Sequence, residues 1–269
     1  MKVSLGINTW SYPKNIDVFE QMRHAKKTGY SGFEPAIILE DLELPVREFD
    51  SKWEKIREHA KTLGITIPSV ATGLYWRYNW ALEDHVEKAM LVLERECRAA
   101  SILGAKTILV VPGYADPSIK YSVLVEKIAG NLAKAEKIAD KYGIRIGLEN
   151  VWNKVFAGPL EFKMLLDKLN PEIFGAYFDA GNTLPHSLPE HWIETLGDRI
   201  LQVHVKGFNM AELRFGIPLT GDISWSNVRR ALEEIGYNGF VVAEVPYYRG
   251  DPFKAAEDTY TSLKKIFSE

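Results

Sequence analysis

From end to end the chain alternates short apolar runs with longer segments whose apolar residues recur at helical spacing, and it does so through eight strand–helix units. Strict alternation of this kind predicts a parallel sheet covered by helices, because each parallel connection must cross back over a face of the sheet. The expected strands cover residues 3–8, 32–34, 65–71, 107–111, 144–150, 174–179, 200–204 and 240–244. Between them, helical stripes run over 16–27, from Trp53 to Leu63, over 83–103, from Leu124 to Tyr142, from Pro159, over 189–196, from a cap at Ser224 to Gly236, and from Phe253 to Phe267. Gly29, Gly64, Gly104 and Gly143 punctuate four of these stripes, as glycine does just past a helix end. No segment rich in Pro, Gly or Ser divides the 269 residues, so residues 1–269 are expected to form one domain. Eight β-α units in ~250 residues point to an α/β fold of the closed (β/α)8 TIM barrel type. An open doubly wound sheet normally places a glycine-rich phosphate loop after its first strand. Here that position reads Thr9-Trp10-Ser11-Tyr12-Pro13.

The ends of the last four strands carry the chemistry. The stretch I-R-I-G-L-E-N ends in Glu149-Asn150, F-G-A-Y-F-D ends in Asp179, I-L-Q-V-H ends in His204, and F-V-V-A-E ends in Glu244. In a barrel the carboxyl ends of the strands form the active-site face. Four successive strands each closed by a proton-carrying or metal-binding side chain therefore describe one half of a mouth. One such residue alone reads most simply as a cap or an ion-pair partner; the series favours a shared site. Three carboxylates and one imidazole form an oxygen-rich set that suits Mn²⁺, Mg²⁺ or Co²⁺, with Zn²⁺ also compatible. The expectation at this point is one shared site for a divalent cation at Glu149, Asp179, His204 and Glu244.

The motifs Leu148-Glu149-Asn150, Asp179-Ala180-Gly181-Asn182, His204-Val205-Lys206 and Ala243-Glu244 resemble the signature of the xylose-isomerase-like barrel superfamily. Within it, the chain is most similar to the sugar and sugar-phosphate isomerases and epimerases: ketose 3-epimerases, L-ribulose-5-phosphate 3-epimerases and proteins called hexulose-6-phosphate isomerases. The resemblance implies that Glu149, Asp179, His204 and Glu244 bind one divalent ion and that the two glutamates also handle protons. It further implies a homo-dimer or homo-tetramer. The chain departs from the ketose 3-epimerase pattern in three places. Asn182 stands where those enzymes usually carry histidine. Gly207 stands where many members have Asp. No second carboxylate follows Glu149 in Val151-Trp152-Asn153-Lys154-Val155.

The expected reaction is isomerisation or epimerisation of a keto-sugar or sugar phosphate. Glu149 and Glu244, on strands far enough apart to flank a substrate, would be the catalytic pair that takes and returns a proton beside the carbonyl through a metal-stabilised enediolate. Asn182, Lys206, Glu34, Trp10 and Arg214 are expected to contact substrate, with a structural salt bridge as an equal reading of Glu34, a carboxylate pair as the second reading of Lys206, and a solvated surface position as the second reading of Arg214 and of Arg249; Tyr75, Trp76 and Trp152 fall in loops at the same end. The alternatives are a keto-sugar or keto-inositol dehydratase or lyase on the same barrel, and a metal-binding barrel without turnover. A three-zinc endonuclease is disfavoured, since Glu34, Thr72 and Asn182 stand where it needs histidines, and a net charge of −3 supplies no basic field for nucleic acid. One cysteine, Cys97, rules out a disulfide framework and suggests a cytoplasmic setting. The first ten residues hold too short an apolar run for a signal peptide or membrane span.

Overall fold

The structure, a computed structural model, describes residues 2–267. In chain order it contains β1 (Ser4–Asn8), α1 (Val18–Thr28), β2 (Gly32–Glu34), β3 (Ala36–Ile37), α2 (Leu39–Glu43), α3 (Val46–Leu63), β4 (Ser69–Thr72), α4 (Glu83–Leu103), β5 (Thr107–Val110), α5 (Tyr121–Tyr142), β6 (Arg145–Glu149), α6 (Pro159–Asp167), β7 (Phe174–Asp179), α7 (Pro189–Leu196), β8 (Ile200–Val205), β9 (Gly207–Asn209), β10 (Arg214–Gly216), α8 (Trp225–Glu234), β11 (Phe240–Ala243) and α9 (Lys254–Phe267). The main sheet is parallel and runs β2-β1-β11-β8-β7-β6-β5-β4-β3. Its two terminal strands are halves of one extended segment split at Pro35, a residue with no N–H to offer the ladder. Gly32 bridges to Thr66 and Ala36 pairs with Ala71, so both halves face the same neighbour and the sheet closes into an eight-stave barrel wrapped by helices.

Local signals set several of the helix ends. Asp17 caps α1 by accepting from the N–H groups of Phe19 and Glu20. Gly64 and Gly143 end α3 and α5 at φ 60 and 64, the left-handed conformation a C-terminal glycine takes without strain. Pro159 opens α6 at its first turn. Three expectations need correction. Helix α3 begins at Val46, seven residues before Trp53, because Phe49, buried four residues before Trp53, extends the apolar stripe toward the N-terminus. The third stave pairs continuously only over Ser69–Thr72, since Pro68 removes a donor just before it. Ser224 does occupy the N-cap of α8, but its side chain caps no backbone N–H; its hydroxyl meets Ser226 Oγ at 3.4 Å.

Buried apolar side chains fill the barrel and the layer between barrel and helices; Trp53, Trp80 and Trp192 are the largest. Within the barrel, adjacent staves set directly opposed residues on the same face. Asn8 lies opposite Glu34, Glu149 opposite Tyr177, and Asp179 opposite His204. Between β7 and β8 the register shifts by one residue after Ala176–Ile200. Without that shift Asp179 would oppose Val203. Gly175 makes room for it: a Cβ there would lie 2.5 Å from the Arg199 carbonyl oxygen and 2.5 Å from Leu201 Cγ.

Candidate metal centre

Four strand ends converge at the carboxyl mouth of the barrel. Glu149 ends β6, Asp179 ends β7, His204 is the penultimate residue of β8, and Glu244 follows β11 directly. One ligand-type atom from each lies within 4.8 Å of all the others. Asp179 is fixed by a reciprocal pair with Asn150: the Asn150 amide donates to the Asp179 carbonyl at 2.9 Å and accepts from the Asp179 N–H at 2.7 Å. This pair replaces the sheet ladder where β6 and β7 part.

His204 is fully buried and reads two environments. Its Nε2 meets Glu34 Oε2 at 2.8 Å. Its Nδ1 faces Glu149 Oε1 at 3.7 Å and Glu244 Oε2 at 3.6 Å, and makes no hydrogen bond among the described residues. A buried ring nitrogen without a hydrogen bond, set beside three carboxylates, is what a cation site requires, and the oxygen-rich donor set fits a divalent ion. Burial alone would lower the His204 pKa, but the carboxylates of Glu34, Glu149 and Glu244 hold it well above the ordinary range. Burial pushes the Glu149 carboxyl up to about 7, with the Glu244 charge adding to it and His204 opposing it.

Glu34 sits beneath the cluster, fully buried. It accepts from Ser69 Oγ at 2.5 Å and His204 Nε2 at 2.8 Å, and also from the Asn8 amide and the Tyr177 hydroxyl. Burial opposes its ionisation, but His204, Ser69 and Tyr177 together hold it below the usual carboxylate range. Four donors saturate its lone pairs, so Glu34 is positioned to orient the histidine, which matches the salt-bridge reading of this residue over the substrate contact. Tyr177 reaches it because Gly147 on β6 is bare: a Cβ there would lie 3.0 Å from Tyr177 Cβ. Tyr177 and Ser69 escaped the sequence reading, although the same period-two parity that turns Asp179 inward turns Tyr177 inward.

Lys206 lies among the acids. Its Nζ is 2.8 Å from Asp179 Oδ2 and 2.6 Å from Glu244 Oε2, and 4.8 Å from the centre of the Phe215 ring. Burial would lower its pKa, but Asp179 and Glu244 raise it above the ordinary lysine range. Gly181 admits its stem, since a Cβ there would fall 2.3 Å from Lys206 Cγ. A cavity of about 260 Å³ opens over the cluster, walled by Trp10, Trp76, Glu149, Asn182, Lys206 and Glu244 among others. The Asn182 amide donates to the Asn150 carbonyl at 2.9 Å and reaches Glu149 Oε1 at 3.5 Å.

The expected residues therefore divide. Trp10, Asn182, Lys206, Trp76 and Trp152 line the cavity. Tyr75 is buried against α4, its hydroxyl on Glu96 Oε2 at 2.9 Å. Arg214, placed near substrate by its position in the loop, is instead the first residue of β10 in the β9–β10 hairpin, with its side chain 76% exposed and paired to Glu212. Arg249 is exposed and outside the cavity wall. Phe215, on the same hairpin strand as Arg214, is the residue that does reach the cavity. Strand alternation turns it to the opposite side from Arg214, but the hairpin itself was not foreseen.

The sequence profile of the family described as xylose isomerase-like TIM barrel matches residues 22–266. An uncharacterised protein of Methanocaldococcus jannaschii is 28% identical over 179 residues, 61% of this chain and 59% of that protein's length. Among solved structures, D-psicose 3-epimerase crystallised with D-fructose superposes with a TM-score of 0.80 at 20% identity, covering 99% of this chain and 100% of that one. L-ribulose 3-epimerase gives 0.82 at 14% identity, over 98% and 94%. The 3-keto-D-glucoside 4-epimerase of E. coli gives 0.78 at 17% identity, over 98% and 100%. At these identities the likeness is one of fold.

Proposed function

The chain belongs to the xylose isomerase-like TIM barrel family, and from that premise we propose that it is a divalent-metal-dependent isomerase or epimerase of a keto-sugar or sugar phosphate, with Mn²⁺ as its metal. The observation that carries this reading is the placement of Glu149 and Glu244 in one donor cluster and in the wall of the same cavity. Epimerases of ketoses and of a keto-glucoside share the barrel, which supports the substrate class.

A bound divalent ion would draw charge from a sugar carbonyl and its neighbouring hydroxyl, so that the adjoining C–H becomes acidic. Glu149, at the end of β6 and in the wall of the cavity, is placed to accept that proton as a carboxylate. Glu244, on a stave three places round the barrel from β6, is placed to return a proton from another direction. Return to the same carbon inverts it; return to the former carbonyl carbon gives aldose–ketose isomerisation. Lys206 is in reach to steady a developing alkoxide, and Asn182 to hold a hydroxyl. Trp10 and Trp76 offer flat apolar walls for the carbon face of a sugar.

The test is solvent exchange. Mn²⁺-loaded protein in D₂O, given ketoses, ketose phosphates and keto-glycosides, should place deuterium beside the carbonyl, read by NMR. Glu149→Gln and Glu244→Gln should each slow uptake by ~10²–10⁴-fold. Near-normal uptake by both variants would falsify the acid–base assignment.

A further inference from the structure

Beside the metal-centre cavity lies a second and larger one of about 430 Å³, with an apolar wall built by Trp152, Phe156, Pro185, Trp192 and Leu213. It belongs to the same end of the barrel: its residues come from the loops after β6 and β7, from the start of α7 and from the tip of the β9–β10 hairpin. The two cavities share Val151, Trp152 and Asn182 as a common wall.

That wall is built rather than incidental. The Trp152 indole N–H donates to the Asn182 carbonyl at 2.8 Å, and its ring packs 4.8 Å from Phe215 and 5.3 Å from Phe208. Trp152 is nonetheless 40% exposed, so the wall that the two cavities share is open to solvent over part of its surface. Three residues of the second cavity, Lys154, Phe156 and Leu213, hold φ of 62, 54 and 50. Side chains other than glycine rarely adopt that backbone, and it persists where the surroundings impose it, often at ligand sites.

Resting on the epimerase reading above, we propose that this cavity is a subsite for an aromatic aglycone, and that the substrate is a keto-glycoside whose sugar ring lies over the metal centre. The size of the first cavity supports this. At about 260 Å³ it falls below the ~300–1,000 Å³ usual for ligand pockets, a range that the neighbouring void enters by itself. The chemistry of the walls supports it too. Lys154 is the one Lys or Arg among the described lining residues, with His186 the one other ionisable side chain, a sparse set beside the forked guanidinium donors that hold a phosphate bidentately. Flat apolar walls accept a ring.

The test compares phenyl 3-keto-β-D-glucoside with free 3-keto-D-glucose and with 3-keto-D-glucose 6-phosphate on the Mn²⁺-loaded protein, by calorimetry. The phenyl glycoside should bind at least tenfold tighter than either. Ala157→Phe, which fills the cavity from an exposed position, and Leu213→Glu, which charges its rim, should each bring the ratio of phenyl glycoside to free sugar close to one. Equal or undetectable binding, tighter binding of the phosphate, or an advantage that survives both variants overturns the subsite. Deuterium uptake beside the carbonyl is read separately by NMR. Tight phenyl binding without uptake retains the subsite and refutes the epimerase; uptake without a phenyl advantage does the reverse.

Discussion

At the scale of the residue, buried charge explains most of what is unusual here. The metal-free cluster stores protons, because Glu149 is raised to about 7 and His204 is held above its ordinary range. A cation must displace them, so metal affinity should fall as pH falls below 7, by at least tenfold per pH unit. Calorimetric titration with Mn²⁺ between pH 6 and 8 checks this, and a flat profile would contradict it. A second buried acid, Glu96, takes no part in the site. Burial, with the Glu34 charge adding to it and the Tyr75 hydrogen bond opposing it, raises its pKa well above the ordinary value. Its Oε1 meets no donor among the described residues. The folded protein thus keeps a proton that the unfolded chain releases above pH ~4.3. Its contribution to stability is complete below that pH and is lost as pH rises toward the folded value, by about 1.4 kcal/mol per unit. Glu96→Gln, neutral throughout, should remove that slope and stabilise the protein at pH 7, as read by urea unfolding at pH 5 and 7.

At the scale of the element, the one-residue shift between β7 and β8 is decisive. It sets His204 opposite Asp179 rather than beyond it, and in a strand a slip of one residue exchanges the two faces. Gly175 permits the shift by leaving space for the Arg199 carbonyl. Gly175→Ala should therefore cost ~1–3 kcal/mol by overpacking and also weaken Mn²⁺ binding by tenfold or more, although residue 175 lies at the far end of β7 from the cluster. Loss of stability with unchanged metal affinity would show that the shift does not depend on this glycine. The β9–β10 hairpin is the other element of consequence. Gly207 and Gly221 let it fold tightly, since a Cβ would fall 2.3 Å from the Ile217 oxygen and 2.2 Å from the Phe208 oxygen respectively. That packing leaves no space for a side chain at position 207.

At the scale of the whole molecule, a closed barrel gathers residues from every stave, so ligand binding at the mouth should tie the staves together. Mn²⁺ at a hundredfold excess over its Kd should stabilise the fold by about 2.7 kcal/mol, raising Tm by about 5–10 °C for a chain of this size. EDTA should reverse the rise, and His204→Ala should abolish it; a rise that persists in that variant would place the ion elsewhere. Among the described residues no helix is long and apolar enough to cross a membrane. The alternation of strands and helices, the terminating glycines, and the four strand-end residues of the candidate metal cluster were legible in the sequence, because hydrophobic periodicity and strand parity are local properties. The choice between the two readings of Glu34 and of Arg214, and the second cavity, were not. Whether a strand-end carboxylate meets substrate or a histidine depends on which staves face each other across the barrel, and Glu34 and His204 are 170 residues apart. Whether Arg214 or Phe215 turns to the cavity depends on a hairpin whose pairing is set by close backbone contacts at glycines. Sequence alone determined which side chains end the strands; the register shift and barrel closure decided which of them meet, since interstrand packing selects among slips that periodicity leaves open.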